Sequence, residues 1–156
     1  MDFEKALVFF RALRDQGVEY VLVGAIGMTV HGIVRATQDI DLFVRPEEDN
    51  IARLRCALQR VFPEDPSIGE ITAADLAGEY PAIRYNSPDG SLMVDIISRL
   101  GHAFSFKDLR IEEKLYEGVP VIVATPETLY RMKRNTVRLQ DRADAEVLKE
   151  LFGLQE

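Results

Sequence analysis

The apolar positions of this chain follow two periods, and the changes between them mark successive helices and strands. Apolar residues at positions 3, 6, 7, 10 and 13 have helical spacing, which predicts a helix over residues 3–16 that ends at Gly17. A short apolar run at 20–23 predicts a strand. Gly24 then opens a turn into a short helix that ends near Gly32.

A second strand and a longer helix follow. Residues 39–44 predict the strand, and Pro46 suits the first turn of a helix because the acids after it would lie near the positive end of the helix dipole. Apolar residues at 51, 54, 58, 61 and 62 line one face of this helix, and Pro63 ends it. The weaker segment 64–78 is expected to be a loop with a short helix capped by Thr72.

Two turn signals in the second half of the chain predict β-hairpins. Ser87-Pro88-Asp89-Gly90 separates strands at 82–86 and 91–97, and Glu117-Gly118 separates strands at 111–116 and 120–123. Thr125-Pro126-Glu127 predicts the start of a helix, and a final helix is expected at 141–152. This order predicts an α+β fold, with a mixed β-sheet, flanking helices and a helical C-terminus.

Length and composition narrow the class of protein. A chain of 156 residues suits a single domain (1–156), which we divide into a core of about 18–123 and C-terminal helices of about 126–152. The single Cys56 excludes an internal disulfide and a multi-cysteine zinc cluster. No signal peptide or apolar run long enough to span a bilayer is visible, so we expect a soluble, cytoplasmic protein without a membrane partner. A formal net charge of −7 argues against a general nucleic-acid coat protein but leaves room for a local basic site.

Two carboxylates interrupt the second predicted strand. Because side chains alternate along a strand, Asp39 and Asp41 point to one face, while Ile40, Leu42 and Val44 point to the other. Two like charges beside a core strand are costly unless a cation lies between them, and a divalent metal ion is the natural candidate.

A third acid lies alone in the apolar strand segment around Asp95. Three strand carboxylates are what a two-metal site requires, and their hard oxygen ligands suit Mg²⁺ or Mn²⁺. Asp95 could be a metal ligand, a general base, or both. The alternative is structural: Asp39 would start the strand, Asp41 would pair with an arginine, and Asp95 would lie on an exposed sheet edge.

These motifs together resemble a known family. Gly24-Ala25, the Asp39-Ile40-Asp41-Leu42 segment and the lone Asp95 resemble the nucleotidyltransferase superfamily, whose fold is the catalytic core of DNA polymerase beta. The stretch VGAIGMTVHGIVRATQDIDLFV, with the helix that carries Lys133 and the later acids, is more narrowly similar to AbiEii-type toxins of toxin–antitoxin systems. The resemblance runs from about residue 5 to 152.

The resemblance implies a role for each matched residue. Gly24 would be the glycine of a phosphate-binding turn, followed here by Ala25 where the family usually has glycine or serine. Asp39, Asp41 and Asp95 would bind the metal, with Asp95 as the probable base. Two later residues are also implied: Lys133 would contact the nucleotide phosphates, and Asp141 would orient Lys133 or bind the nucleotide. The position before Asp141 is Gln140, where the family has a lysine.

Several cations and one histidine leave two interpretations open. Arg35 could bridge phosphate oxygens or form a salt bridge to Asp39 or Asp41. A basic cluster could be a solvated helix face or could attract a triphosphate or an RNA acceptor; it consists of Arg131, Lys133, Arg134, Arg138 and Arg142. Tyr130 could stack on a base or fill the core, and His31 is more typical of a structural residue.

The sequence therefore predicts a metal-dependent nucleotidyltransferase that uses an NTP. It would move an NMP to a hydroxyl of RNA, protein or a small molecule, and it could be the toxin partner of an antitoxin protein. The alternative is a catalytically degenerate module of the same fold that binds a nucleotide or a partner. A sugar transferase with a D-x-D motif is disfavoured because the chain is short for a nucleotide-sugar fold.

Overall fold

A six-stranded mixed sheet with helices on both faces organises the chain in the computed structural model, which describes residues 1–36, 38–78, 81–100, 104–134, 136 and 138–155. The first half contains α1 (Phe3–Asp15), β1 (Tyr20–Val23), α2 (Gly24–Val30), β2 (Ile40–Val44), α3 (Glu48–Val61) and α4 (Ala73–Ala77). The second half contains β3 (Ala82–Asn86), β4 (Met93–Ile97), β5 (Arg99–Leu100), β6 (Phe104–Ser105), β7 (Ile111–Tyr116), β8 (Val119–Ala124), α5 (Pro126–Arg134) and α6 (Leu139–Phe152). Short 3₁₀ helices lie at Pro66–Glu70 and Phe106–Asp108.

The strand order is β3-β4-β2-β1-β8-β7, so β2 and β1 occupy the centre of the sheet. β2 is antiparallel to β1 and parallel to β4, and β1 is parallel to β8. The two predicted hairpins are present as β3–β4 and β7–β8. The predicted α+β fold with a mixed sheet, flanking helices and a helical C-terminus is thus confirmed.

Two apolar clusters pack on opposite faces of the sheet. The first joins α1 and α3 to the face that carries Ile40, Leu42 and Val44. The second joins α2, α5 and α6 to the face that carries Val23 and Phe43. The residues of β2 are buried except for Asp41, its second residue, which is half-buried and is the position within the strand that carries a charge.

A few predicted boundaries were wrong for local reasons. α3 begins at Glu48 rather than at Pro46, because Glu47 takes the extended cap conformation with φ −101° and ψ 149°. α6 begins two residues earlier than expected, at Leu139. Thr72 caps α4 as predicted, its hydroxyl accepting a hydrogen bond from the Asp75 amide at 3.2 Å.

In the described part of the chain, none of the helices is both long enough and apolar enough to pass through a bilayer.

Candidate active site

The sheet places the acidic residues side by side, because residues opposite one another on paired strands point to the same face. Val23 of β1 is opposite Asp41 of β2, and Asp41 is in turn opposite Asp95 of β4. Arg84 of β3 is opposite Asp95. Four strands therefore supply one row of side chains on the face covered by α2, α5 and α6, with Asp39 just before β2.

An open cavity of about 370 Å³ lies over this row. Its floor contains the three strand acids, and α5 and the start of α6 form the opposite wall. The residues predicted from the sequence all line it: Gly24, Ala25, Arg35, Asp39, Asp41, Asp95, Lys133 and Asp141. Apolar side chains complete the wall, namely those of Val23, Ile97, Leu100, Leu129 and Met132.

Gly24 is required by the aspartate that faces it. Its φ of +65° lies in the left-handed region that favours glycine. A Cβ at this position would lie 2.0 Å from Oδ2 of Asp41. The absence of a side chain at Gly24 therefore makes the room in which the Asp41 carboxylate sits.

Asp41 is the most perturbed carboxyl group of the site. Burial, together with the neighbouring charges of Asp95 and Asp39, raises its pKa from 3.8 to about 6. Lys133 and Arg138 act in the opposite direction without cancelling this effect. An excess of negative charge thus remains at Asp41, which a cation bound there would relieve.

Arg84 is the site residue that the sequence analysis missed. Its Nε donates to Oδ1 of Asp95 at 2.7 Å and its Nη2 donates to Oδ2 at 3.0 Å, while Nη2 lies 3.7 Å from Asp39. The sequence did contain a signal for this contact. Side chains alternate along a strand, so Arg84 and Asp95 stay on the same face of the predicted β3–β4 hairpin whenever its register shifts by an even number of residues. Contrary to the structural alternative, Asp95 lies on an interior strand rather than on an edge.

A second charged cluster forms where α5 and α6 meet the segment after α2. The carboxylate of Asp144, which is 3% exposed, accepts hydrogen bonds from Arg35 Nε at 2.9 Å and from Lys133 Nζ at 2.9 Å. Gln140 Nε2 donates to the same carboxylate at 3.0 Å, and Lys133 Nζ also donates to Asp141 at 3.4 Å. Burial favours the neutral acid, but these donors outweigh it and hold the pKa of Asp144 below its usual value.

This cluster corrects the expected salt bridge of Arg35. Arg35 lines the cavity, but its ion pair is with Asp144 rather than with Asp39 or Asp41. Gln140 makes a structural contact in this cluster by donating to Asp144. Lys133 faces the cavity as a paired cation that two aspartates orient.

Comparison with known proteins identifies the fold. No family model matches the sequence, and no curated protein matches it significantly. Solved structures do resemble it. An antigenic nucleotidyltransferase-like protein from Paracoccidioides brasiliensis superposes with a TM-score of 0.58 at 19% identity, over 94% of this chain and 75% of that protein. The chain has a nucleotidyltransferase-like fold.

Two further structures share the nucleotidyltransferase-like fold. A candidate nucleotidyltransferase from Thermotoga maritima gives a TM-score of 0.54 at 14% identity, over 98% of this chain and 96% of its own. ANT(2″)-Ia in complex with adenylyl-2″-tobramycin gives 0.57 at 12% identity, over 96% and 90%. Identities this low establish the shared fold alone.

The acids of the cavity do not form a complete metal-binding cage on their own. Among the residues that the structure describes, no group of three or more His, Cys, Asp or Glu side chains is placed to hold a metal ion. Arg84 donates to both oxygens of Asp95 in this arrangement. The donor chemistry nevertheless fits a hard divalent cation, since Asp39, Asp41 and Asp95 offer only carboxylate oxygens.

The predicted basic cluster is divided between structural and cavity positions. Arg131 pairs with Glu127 at 2.9 Å, Arg134 lies 5.6 Å from the ring centre of Tyr130, and Arg142 Nε donates to the Thr136 carbonyl at 3.1 Å. Only Lys133 and Arg138 of the cluster line the cavity. Both interpretations that the sequence left open therefore describe part of the cluster, because its members lie on two helices, α5 and the start of α6, rather than on one helical face.

The two aromatic candidates are core residues. Tyr130 is 3% exposed and belongs to the apolar cluster under α5 and α6. His31 Nε2 is 2.7 Å from the Ala124 carbonyl oxygen, and burial lowers the pKa of its ring. Both positions agree with the structural interpretation.

Proposed function

We propose that this chain is a metal-dependent nucleotidyltransferase that transfers an NMP from an NTP to a hydroxyl group of an acceptor. The observation that carries the proposal is the placement of Asp41 and Asp95 side by side on parallel strands, with Asp39 beside them, facing an open cavity. A raised pKa at Asp41 marks a site that favours added positive charge. The nucleotidyltransferase-like neighbours support this class of reaction.

The reaction follows from the chain's own groups. Asp95 takes the proton of the acceptor hydroxyl while the acceptor oxygen forms a bond to the α-phosphorus of the NTP. The bond between the α-phosphorus and the bridging oxygen breaks, and pyrophosphate leaves. Lys133 and Arg138, at the cavity wall, offset the charge of the triphosphate.

Asp39, Asp41 and Asp95 would hold Mg²⁺ or Mn²⁺ once Arg84 releases Asp95. When bound, such an ion lowers the pKa of the attacking hydroxyl and offsets negative charge on the phosphates. Gly24 leaves room for the Asp41 carboxylate. Gly24 and Ala25 both line the cavity. The apolar wall that includes Leu129 and Met132 offers a surface for a nucleobase.

The experiment has two arms. Thermal unfolding is measured with each NTP, with and without Mg²⁺ or Mn²⁺, because a ligand that binds the folded state raises the midpoint. Transfer is measured with α-labelled NTPs in cell extract, comparing wild type with Asp95→Asn and with the control Glu113→Gln, an exposed acid of β7. We expect label transfer that Asp95→Asn abolishes and Glu113→Gln retains. Absence of any transfer by the folded wild type contradicts the proposal.

The acceptor and biological setting are a narrower part of the proposal. The resemblance of residues 20–44 to AbiEii-type toxins favours a toxin that acts on an RNA, protein or small-molecule hydroxyl, inside the cytoplasm and controlled by an antitoxin protein. Induced expression should then arrest growth, and Asp41→Asn should relieve the arrest. Arrest that persists in the Asp41→Asn variant, or no arrest at all, argues against a toxin.

A second candidate function rests on two observations. Ala25 provides no hydroxyl for a phosphate, and Arg84 neutralises Asp95, as a metal ion otherwise would. Both favour a degenerate module that binds a nucleotide or a partner without catalysis. An NTP that raises the unfolding midpoint without metal, together with no label transfer, identifies this alternative.

A further inference from the structure

The outer face of α6 carries an apolar row that no described part of the chain covers. Leu139 is 80% exposed, Val147 is 44% exposed and Leu151 is 60% exposed, and the exposed Ala143 lies between the first two. Because an α-helix has 3.6 residues per turn, a spacing of four places each side chain close to the next, in a stripe that winds gradually around the helix. We call Leu139, Ala143, Val147 and Leu151 the outer row.

The outer row continues onto the segment after α2. Val34 is fully exposed at 101%, and a shallow groove connects it to Val147 and Leu151, with Glu150 at its rim. Isolated exposed apolar residues are ordinary, but a continuous apolar strip bordered by charges is typical of a protein interface. Val34, Val147 and Leu151 therefore form one apolar strip with a charged rim.

Charges beside the outer row are separated along the helix. Arg142 lies beside its first half, and Glu146 and Glu150 lie beside its second half. A second α6 that runs in the same direction would oppose like charges. An α6 that runs in the opposite direction would place Arg142 of each copy near Glu146 and Glu150 of the other.

We propose that the outer row is the self-association surface of this protein, at which a second copy docks with its α6 antiparallel. A two-fold axis near the middle of α6 places Leu139 opposite Leu151 of the second copy, and Ala143 opposite Val147. Ala143 is small enough to let the two helix backbones approach closely. The chain thus supplies both the apolar surface and the complementary charges of its own partner.

The proposed interface reaches the candidate active site. Val34 directly precedes Arg35, which lines the cavity and donates a hydrogen bond to Asp144. A second copy that covers Val34 would therefore fix the segment that carries Arg35. The proposal does not depend on the proposed function, since association can be measured without any substrate.

Association is tested by sedimentation equilibrium over roughly 1–500 µM, the range in which a small two-fold interface is expected to form. The variants are Val147→Asp and Leu151→Asp, which place charge in the outer row. The matched control is Leu115→Asp on β7, an apolar residue that is 72% exposed and does not belong to the outer row. Circular dichroism and melting verify that each variant is folded, and Leu139→Asp replaces any variant that is not.

We expect a wild-type dimer, at least roughly tenfold weaker association for Val147→Asp and Leu151→Asp, and no change for Leu115→Asp. A wild type that stays monomeric over the whole range overturns the proposal. So does a dimer that only Leu115→Asp disrupts, because that result assigns the interface to the free edge of β7.

The direction of docking has its own test. Glu146→Lys with Glu150→Lys should weaken the dimer, and the further change Arg142→Glu should restore it, because the charges then match again with reversed sign. In a Cys56→Ser background, a mixture of Ala143→Cys and Val147→Cys chains should form a crosslinked heterodimer. Self-crosslinking of Leu139→Cys chains instead would indicate parallel helices and contradict the antiparallel arrangement.

Discussion

The contact between Gly24 and Asp41 ties the shape of the turn to the acid at the centre of the cavity. An alanine at position 24 would be destabilising for two reasons. Its backbone would be left-handed, and its Cβ would lie only 2.0 Å from Asp41 Oδ2. Asp41 can therefore occupy its position only because residue 24 lacks a side chain.

Gly24→Ala should destabilise the protein more than Gly17→Ala does. Gly17 has a similar φ of +67° but nothing within 4 Å of the added Cβ. Gly17→Ala should therefore lower the free energy of unfolding only through backbone strain, by about 1–2 kcal/mol. We expect about 1–3 kcal/mol more for Gly24→Ala, from the clash with Asp41. Chemical denaturation measures both, and equal losses for the two variants would show that the carboxylate moves away freely.

Asp41→Asn should change how stability depends on pH. Because the folded-state pKa is raised from 3.8 to about 6, the folded protein binds a proton more tightly than the unfolded chain does. This stabilisation is complete below about pH 4 and is lost as the pH rises through 6. Above pH 7, Asp41→Asn should thus be more stable than wild type by no more than about 3 kcal/mol.

The measurement compares the free energies of unfolding of wild type and Asp41→Asn at pH 5 and pH 8, with a chelator present. Titrations elsewhere, including that of His31, cancel in the difference between the two proteins. A difference that does not grow between pH 5 and pH 8 would show that the Asp41 carboxyl is not perturbed.

The junction of α5 and α6 depends on one buried carboxylate. Asp144 of α6 accepts from Lys133 of α5 and from Arg35 of the segment after α2, so it joins three parts of the chain. Removal of one partner from a buried ion pair leaves the remaining charges without compensation.

Asp144→Ala should therefore cost about 3 kcal/mol or more in unfolding free energy. Glu113→Ala, which removes the exposed ion pair with Arg14, should cost little. Denaturant titration of both variants measures the difference. Near-equal losses would mean that solvent already compensates Lys133 and Arg35.

The β3–β4 hairpin places the Arg84 guanidinium beside the carboxylate of Asp95. Because Arg84 occupies both oxygens of Asp95, a divalent ion has to compete with the guanidinium for that carboxylate. Arg84→Ala should consequently bind Mn²⁺ more tightly than wild type, whereas Arg14→Ala should bind it equally. Electron paramagnetic resonance of free Mn²⁺ measures both affinities, and weaker binding by Arg84→Ala would mean that the arginine organises the acids instead.

The molecule as a whole places the cavity between two layers. The floor belongs to the interior strands β2 and β4, and the wall belongs to α5 and the start of α6. A ligand in this cavity contacts both layers, so its binding energy opposes their separation.

Mg²⁺ with a bound NTP should therefore slow amide hydrogen exchange in α5 and α6 as well as in β2 and β4. α3, on the opposite face of the sheet, serves as the internal control and should change least. Hydrogen exchange with mass-spectrometric detection follows each segment. Protection confined to one layer would place the ligand outside the cavity.

Local patterns determined the elements of this protein and three of its acids. Alternation along 39–44, the hairpin turns and the proline-started helix at 126 are set by short-range backbone and side-chain physics, so the sequence alone predicted them. A lone charge in an apolar strand, as at Asp95, is visible for the same reason.

Only the tertiary structure decided which charges meet. The pairing of Arg84 with Asp95 depends on hairpin register, and that of Arg35 with Asp144 joins residues 109 positions apart. The hairpin pattern indicates only that Arg84 and Asp95 share a face, and nothing local in the sequence indicates the contact between Arg35 and Asp144, because both contacts arise from how strands and helices assemble. The sequence thus determined which residues could form a charged site, whereas assembly of the sheet and of α5 with α6 decided that Lys133 and Arg35 are held by Asp144 and that Arg84 holds Asp95.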